Sequence, residues 1–189
     1  MKTYTIIGGV NGVGKSSLYG SLNLSRTDLG IIIDADRITA SLGGDKLQGG
    51  KEAVKRISEC LENGINFTQE TTLSGAKTLR TIKTARERGF YVRLYYVAVG
   101  ELSESLSRIE NRVRKGGHDI PRDDVTRRFN KRFEDVLRIL PFCDEVHFID
   151  NENGFVEVGE YKNSEIITFG ENTPEWIREL RRKYDYRCF

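Results

Sequence analysis

Gly9-Val10-Asn11-Gly12-Val13-Gly14-Lys15-Ser16 decides the fold. The string is G-x4-G-K-[ST], a loop whose meaning depends on what flanks it. Before it stands a short apolar β-type run, Tyr4–Ile7, and after it a stretch that reads as helix. In that setting the glycines let backbone N–H groups turn inward around phosphate oxygens. The helix N-terminus adds roughly half a positive charge toward the same anion. The expected nucleotide-binding set is Gly9, Val10, Asn11, Gly12, Val13, Gly14, Lys15, Ser16 and Ser17. Lys15 has the reach for β- and γ-phosphates, and Ser16 the hydroxyl for Mg²⁺. These residues imply ATP or a related triphosphate with Mg²⁺. They leave the reaction open.

Working outward, strands and helices alternate. Ile31-Ile32-Ile33 reads as a buried strand ending at Asp34, and Ile65 to Gln69 as a third strand. A helix from about Leu47 to Leu61 stops at Asn63-Gly64, and Thr78 to Arg88 forms another, ended by Gly89. Phe90 to Val99, dense in aromatics and valine, is the strongest strand signal. Leu102, Leu106, Ile109 and Val113 fall at helical spacing, as do Val125, Phe129, Phe133, Val136 and Leu140. Glu145 to Ile149 reads as a strand. Phe155–Val158 and Ile166–Phe169 read as a hairpin. A last helix begins near Pro174 with Thr173 as its cap. The expected fold is α/β: a parallel sheet of P-loop NTPase type with flanking helices, a helical lid over about residues 108–132, and a small C-terminal β-hairpin. One domain spanning 1–189 accommodates it.

Ligands of such sheets lie beyond the carboxyl ends of the strands, so residues just after each strand carry the chemistry. Asp34-Ala35-Asp36 follows the second strand, with two carboxylates at i and i+2. One suits the water shell of a metal, the other a general base that takes a proton from a substrate hydroxyl. Either is also a suitable cap for the next helix. Glu70-Thr71-Thr72 ends the third strand, where Glu70 and Thr72 are candidate substrate contacts. Leu73-Ser74-Gly75 echoes the signature of transport ATPases, but lies too early in the chain for that role.

Between Arg108 and Arg132 an arginine-rich segment is interrupted by Gly116-Gly117-His118-Asp119-Ile120-Pro121. This reads as two helices of a lid, whose arginines neutralise charge on a transferring phosphoryl group. At about 100° per residue, Arg112 and Arg128 flank the apolar stripes, while Arg127 and Lys131 point away. His118 suits either phosphate or packing. His147, Tyr95, Tyr96 and Phe90 read as core, and Arg178–Lys183 as a solvated helix face.

Thirty Lys and Arg against twenty-eight Asp and Glu give a net charge of +2, so no global field favours nucleic acid or an anionic membrane. No apolar run approaches the roughly 18–20 residues of a membrane span. The three cysteines, Cys60, Cys143 and Cys188, lack the spacing of a disulfide framework or zinc site. Met1–Gly8 does not read as a signal peptide, and the Asn23 and Asn66 sequons read as chance matches. A cytoplasmic location is expected.

Taken together, G-G-V-N-G-V-G-K-S-S, I-D-A-D, E-T-T-L-S-G and R-V-R-K-G-G-H-D-I-P followed by V-T-R-R-F resemble the zeta-toxin-like P-loop kinases, over roughly Gly8 to Asn151. The resemblance implies an ATP-dependent kinase acting on a hydroxyl. In the toxins of that family the acceptor is a UDP-N-acetylamino sugar. It implies Lys15 and Ser16 at the phosphate and metal positions and Asp36 as general base; Asp34, by its place after the second strand, is the candidate beside the metal. It further implies Glu70 and Thr72 against substrate, Arg112 and Arg128 as the charge-neutralising arginines, and an antitoxin as partner protein. Two other readings compete: a nucleotide-hydrolysing switch, and a polynucleotide 5′-hydroxyl kinase. Asn130-Lys-Arg-Phe133 has Phe where a guanine-reading N-K-x-D needs Asp, which speaks against a GTPase switch.

Overall fold

Strand β1 (Thr3–Gly8) is buried at every residue. A strand buried along its whole length belongs in the middle of a sheet covered on both faces. The computed structural model, which describes residues 1–117, 119–171 and 173–187, places it there. Strands β2 (Ile31–Asp34), β3 (Phe67–Thr71), β4 (Tyr91–Ala98) and β5 (Glu145–Asp150) run parallel to it; β6 (Val156–Lys162) and β7 (Glu165–Thr168) are antiparallel additions. The order across the sheet is β2-β3-β1-β4-β5-β6-β7. The helices are α1 (Lys15–Ser25), α2 (Ala35–Ser41), α3 (Lys46–Asn63), α4 (Lys77–Glu87), α5 (Leu102–Arg114), α6 (Arg122–Leu137) and α7 (Glu175–Arg187).

The period-2 alternation of the central strands feeds two cores. Tyr4 and Ile6 of β1, with Leu94 and Tyr96 of β4, pack with Phe67, Phe133 and Trp176 on one face. Ile7, Tyr95 and Val97 pack with Val10, Val13, Leu18 and Phe129 on the other. The second core therefore lies directly beneath the phosphate loop and is shared with α6.

Several expected boundaries move, each for a local reason. Ile31 is 46% exposed because β2 is the edge of the sheet, so the triple isoleucine is only partly a buried run. Strand β3 starts at Phe67, not Ile65, whose N–H is used to close α3 on Cys60 behind left-handed Gly64. Strand β3 also runs on to Thr71, so Glu70 is the last but one residue of the strand, not part of a loop after it. Helix α6 ends at Leu137, and Leu140–Phe142 with Pro141 forms a separate 3-10 turn. Gly43 and Gly44, both at positive φ, separate a short α2 from α3. Strand β6 extends well past Val158, because it pairs with both β5 and β7. Helix α7 starts at Glu175, and the Thr173 hydroxyl donates back to the Gly170 carbonyl. Among the described residues no helix is long and apolar enough to cross a membrane. Cys60 and Cys143 are unpaired, and Cys188 lies outside the described residues.

Phe67 stacks on Tyr4 at 4.4 Å between centroids and meets the Phe90 ring edge-on at 6.0 Å. It is fully buried on the strand that ends in Glu70. Phe67→Ala is expected to lower the free energy of unfolding by about 3–5 kcal/mol. Urea denaturation of the two proteins measures it.

Candidate functional site

Sheet register brings the site together. Asp34 of β2 pairs with Glu70 of β3, Glu70 with Ile7 of β1, and Thr71 with Gly8. Two carboxylates thus stand beside the point where β1 enters the loop. The Gly9 N–H donates to the Thr71 carbonyl at 3.3 Å, tying the loop's first residue to β3. Gly14 has φ +96° and starts α1. A Cβ there would lie 2.4 Å from the Asn151 amide nitrogen, and one on Gly12 would lie 2.4 Å from the Ser105 carbonyl oxygen. The glycines are thus required by close approach as well as by backbone conformation.

Lys15 is buried, and its Nζ donates to the Val10 carbonyl at 2.9 Å. Burial lowers its pKa; Glu70, Asp36 and Asp34 act in the opposite direction, and Arg112 adds to the lowering. The Ser16 hydroxyl donates to Glu70 Oε2 at 2.8 Å. Burial raises the Glu70 pKa, with Asp34 and Asp36 adding to the rise and Lys15 and Ser16 opposing it. Asp34 Oδ1 accepts from the N–H groups of Asp36 and Arg37, the N-cap of α2. The two alternatives for Asp34-x-Asp36 thus divide: Asp34 caps, and Asp36 projects from the first helical turn into the cavity.

That cavity has a volume of about 530 Å³. Of the expected residues, Asn11, Gly12, Gly14, Lys15, Ser16, Ser17, Asp34, Asp36, Glu70, Thr72, Arg112 and Arg128 line it. Val10 and Val13 do not; their side chains belong to the core beneath, which leaves only their backbone to the loop. Gly9, pressed against the Val97 carbonyl, is likewise a backbone position. His118 lies outside the described residues.

The arginine helices are well rooted. Val125, Phe129, Phe133 and Val136 are buried along α6, so α6 is no free flap. Arg128 Nη1 donates to Asn11 Oδ1 at 2.7 Å, across 117 residues of sequence. Its Nε is buried with no hydrogen-bond partner. Arg128 also lines the cavity, where a guanidinium suits a phosphate oxygen. Arg127 turns outward and pairs with Asp124 at 2.6 Å. Arg132 lies over the Phe129 and Phe133 rings and donates to the Phe129 carbonyl. Helical phase alone separates Arg128 from Arg127; it does not separate Arg132 from Arg128, which stacking on the two rings does.

Two further lining residues, which the sequence placed after a strand and beside the α5 stripe, have roles it did not assign. Asn151 donates its amide to the Val13 carbonyl at 2.8 Å, and its N–H to the Ala98 carbonyl at 3.0 Å. Arg108 donates to the Asn151 and Glu152 carbonyls and pairs with Glu104. Asp150, just before, accepts from the Glu152 N–H and from the Trp176 indole at 2.7 Å. The position of Asn151 after β5 was the available signal; its side-chain bond to a loop 138 residues away was not readable.

Among the described residues no group of three or more His, Cys, Asp or Glu is arranged to hold a metal by itself. The donor set nevertheless fits Mg²⁺, an ion that takes a hydroxyl or two, phosphate oxygens and several waters. Ser16 would bind it directly, with Glu70 and Asp34 facing its waters. A buried lysine, the glycine-lined turn and the Arg128 guanidinium fit a polyphosphate beside it.

A family model described as zeta toxin matches residues 51–168. An uncharacterized protein of Haemophilus influenzae is 34% identical over 126 residues, covering 64% of this chain and 88% of that protein. A structure from the PezAT chromosomal toxin-antitoxin system of Streptococcus pneumoniae superposes with a TM-score of 0.66 at 15% identity, covering 99% of this chain and 87% of that one. The AvrRxo1-ORF1:-ORF2 complex gives a TM-score of 0.70 at 17% identity, covering 96% of this chain and 64% of that one. The chain thus spans just under two thirds of that chain's length. A structure of the complex with ATP gives 0.67 at 18% identity. These structural likenesses show the fold.

The contrast between neighbouring arginines is directly testable. Arg128→Ala is expected to depress turnover at least tenfold more than it weakens ATP binding, because its charge matters most as the bond to the leaving group breaks. Arg127→Ala, which removes an exposed ion pair, should leave both within about twofold. Steady-state kinetics paired with calorimetric ATP titration measures the difference.

Proposed function

The chain belongs to the zeta toxin family, and on that premise we propose that it is an ATP-dependent kinase transferring the γ-phosphoryl group to a hydroxyl of a small molecule. The observation that carries the reading is the convergence of Lys15, Ser16, Asp36, Glu70 and Arg128 on one cavity at the carboxyl ends of the strands. A phosphate-binding loop alone serves many reactions. A carboxylate facing the phosphate site from α2 gives it an acceptor side.

In this reading the loop N–H groups and Lys15 hold the β- and γ-phosphates of ATP, and Arg112 and Arg128 close on them from α5 and α6. The lid expected over residues 108–132, within one kinase domain, supplies these arginines without the whole of α6 leaving the core. Ser16 would hold Mg²⁺, which would supply neutralisation of the phosphate charge. Asp36 accepts the proton of the acceptor hydroxyl. The hydroxyl oxygen forms a bond to the γ-phosphorus, the bond from that phosphorus to the bridging oxygen breaks, and its electron pair leaves with ADP. Glu70 orients the Ser16 hydroxyl, and Thr72 contacts the acceptor from the end of β3.

The family resemblance supports a nucleotide sugar as one acceptor class and an antitoxin as partner; the fold shared with a protein of a toxin-antitoxin system supports that partner too. A hydrolysing switch would leave Asp36 and the space beyond it without a task. A polynucleotide kinase calls for a basic track for the strand, whereas the space beyond Asp36 is lined by acidic and basic residues in balance.

Two substitutions test the assignment. Lys15→Ala is expected to abolish phosphoryl transfer, with near-unchanged circular dichroism; normal turnover would remove the loop from the mechanism. Asp36→Asn should keep ATP affinity and lose roughly 10²–10⁴-fold in kcat, the scale of a positioned base. Lost affinity with retained kcat would exchange the roles of Asp36 and Asp34.

A further inference from the structure

Beyond Asp36, on the side away from Lys15, lies a second cavity of about 250 Å³, open to solvent. It is bounded by α2, the Gly43–Gly44 turn, the start of α3, and residues 119–128. Asn11, Asp36 and Arg128 belong to both cavities, so the two meet where a γ-phosphate and an acceptor hydroxyl must meet. From this geometry, and resting on the kinase reading above, we infer that the acceptor is a compact, unphosphorylated polyol or amino sugar seated in this side cavity, not a nucleotide sugar.

Three properties carry the inference. The first is size. At 250 Å³ the cavity falls below the roughly 300–1,000 Å³ of sites for drug-sized ligands, and a nucleotide sugar is larger than most of those. The second is charge. Asp36 and Asp119 line it together with Lys46 and Arg128, and Asp124, also in the lining, is paired with Arg127. That balance suits neutral hydroxyls or an ammonium group, and a diphosphate would add two negative charges to it. The basic residues of α5, Arg108 and Arg112, line the main cavity and not this one. The third is surface chemistry. Among the described lining residues none is aromatic, so a nucleobase finds no ring to stack on. Asp and Thr oxygens next to small residues are instead what binds a ring of hydroxyls.

Gly50 offers the test. It lies within α3 and lines the cavity, and a Cβ there would meet nothing within 4 Å. Its neighbour Gly49 differs: a Cβ there would lie 2.0 Å from Thr39 Oγ1, so Gly49 is needed for packing α2 on α3. Gly50→Leu therefore fills the cavity without disturbing the fold, and leucine favours the helix.

The experiment offers [γ-³²P]ATP and Mg²⁺ to the wild-type chain and to Gly50→Leu, with glucosamine, N-acetylglucosamine or UDP-N-acetylglucosamine as acceptor. Wild type is expected to label at least one free sugar and to leave the nucleotide sugar unlabelled. Gly50→Leu is expected to lose at least tenfold in kcat/KM for that sugar, with ATP affinity and melting temperature no lower than wild type. Labelling of the nucleotide sugar by wild type overturns the inference and leaves the kinase reading standing. So does sugar labelling that is indifferent to Gly50→Leu. Labelling of none of the three acceptors overturns the inference; the kinase reading is tested separately by Lys15→Ala and Asp36→Asn.

Discussion

A single buried ammonium sets the terms for the rest of the cavity. Lys15 lies beneath the loop, where its charge has lost most of its water. A cation in that position is tolerated only if other groups replace the solvent. The Val10 carbonyl accepts one hydrogen bond, and Glu70, Asp36 and Asp34 supply the opposing field. Glu70 in turn is displaced: burial, with Asp34 and Asp36 nearby, pushes its pKa upward even with Lys15 beside it. The cluster is a balance in which no member can be removed without unsettling the others, and a polyphosphate would enter it as a further anion competing for the same lysine.

The sheet keeps that balance in place. Parallel pairing of β1, β2 and β3 in fixed register aligns Asp34, Glu70 and the entry to the loop. A one-residue slip of β3 would turn Glu70 to the opposite face. The loop itself is gripped from several sides, by the Thr71 carbonyl, by the Asn151 amide, and by α5 where Ser105 presses on Gly12. Phe129 carries the same constraint to α6, whose Arg128 reaches Asn11. Loop, strand ends and arginine helices thus rest on one shared apolar cluster.

Most of this architecture was legible because it depends on local chemistry. Glycine spacing, the alternation of strand and helix, and the 3.6-residue phase that separates Arg128 from Arg127 can all be read from neighbours along the chain. What escaped depends on partners far away. Asn151 and Arg108 are marked only by their places after a strand and beside a helical stripe, and only the folded sheet brings one to the loop and the other to its carbonyl. The triple isoleucine of β2 reads as central, yet its neighbours leave it at an edge. The break between α2 and α3 was hidden behind two glycines that also suit a plain turn, and the side cavity forms at that break.

The bond from the Trp176 indole to Asp150 carries the loop's support to the far edge of the sheet. Asp150 shapes the turn that carries Asn151 and Glu152, and those residues brace the phosphate loop and Arg108. A change confined to α7 that loosened the indole would therefore be felt at the loop, although α7 lines no part of the cavity. The shape of the nucleotide motif is in this sense held by a helix that contributes no residue to it.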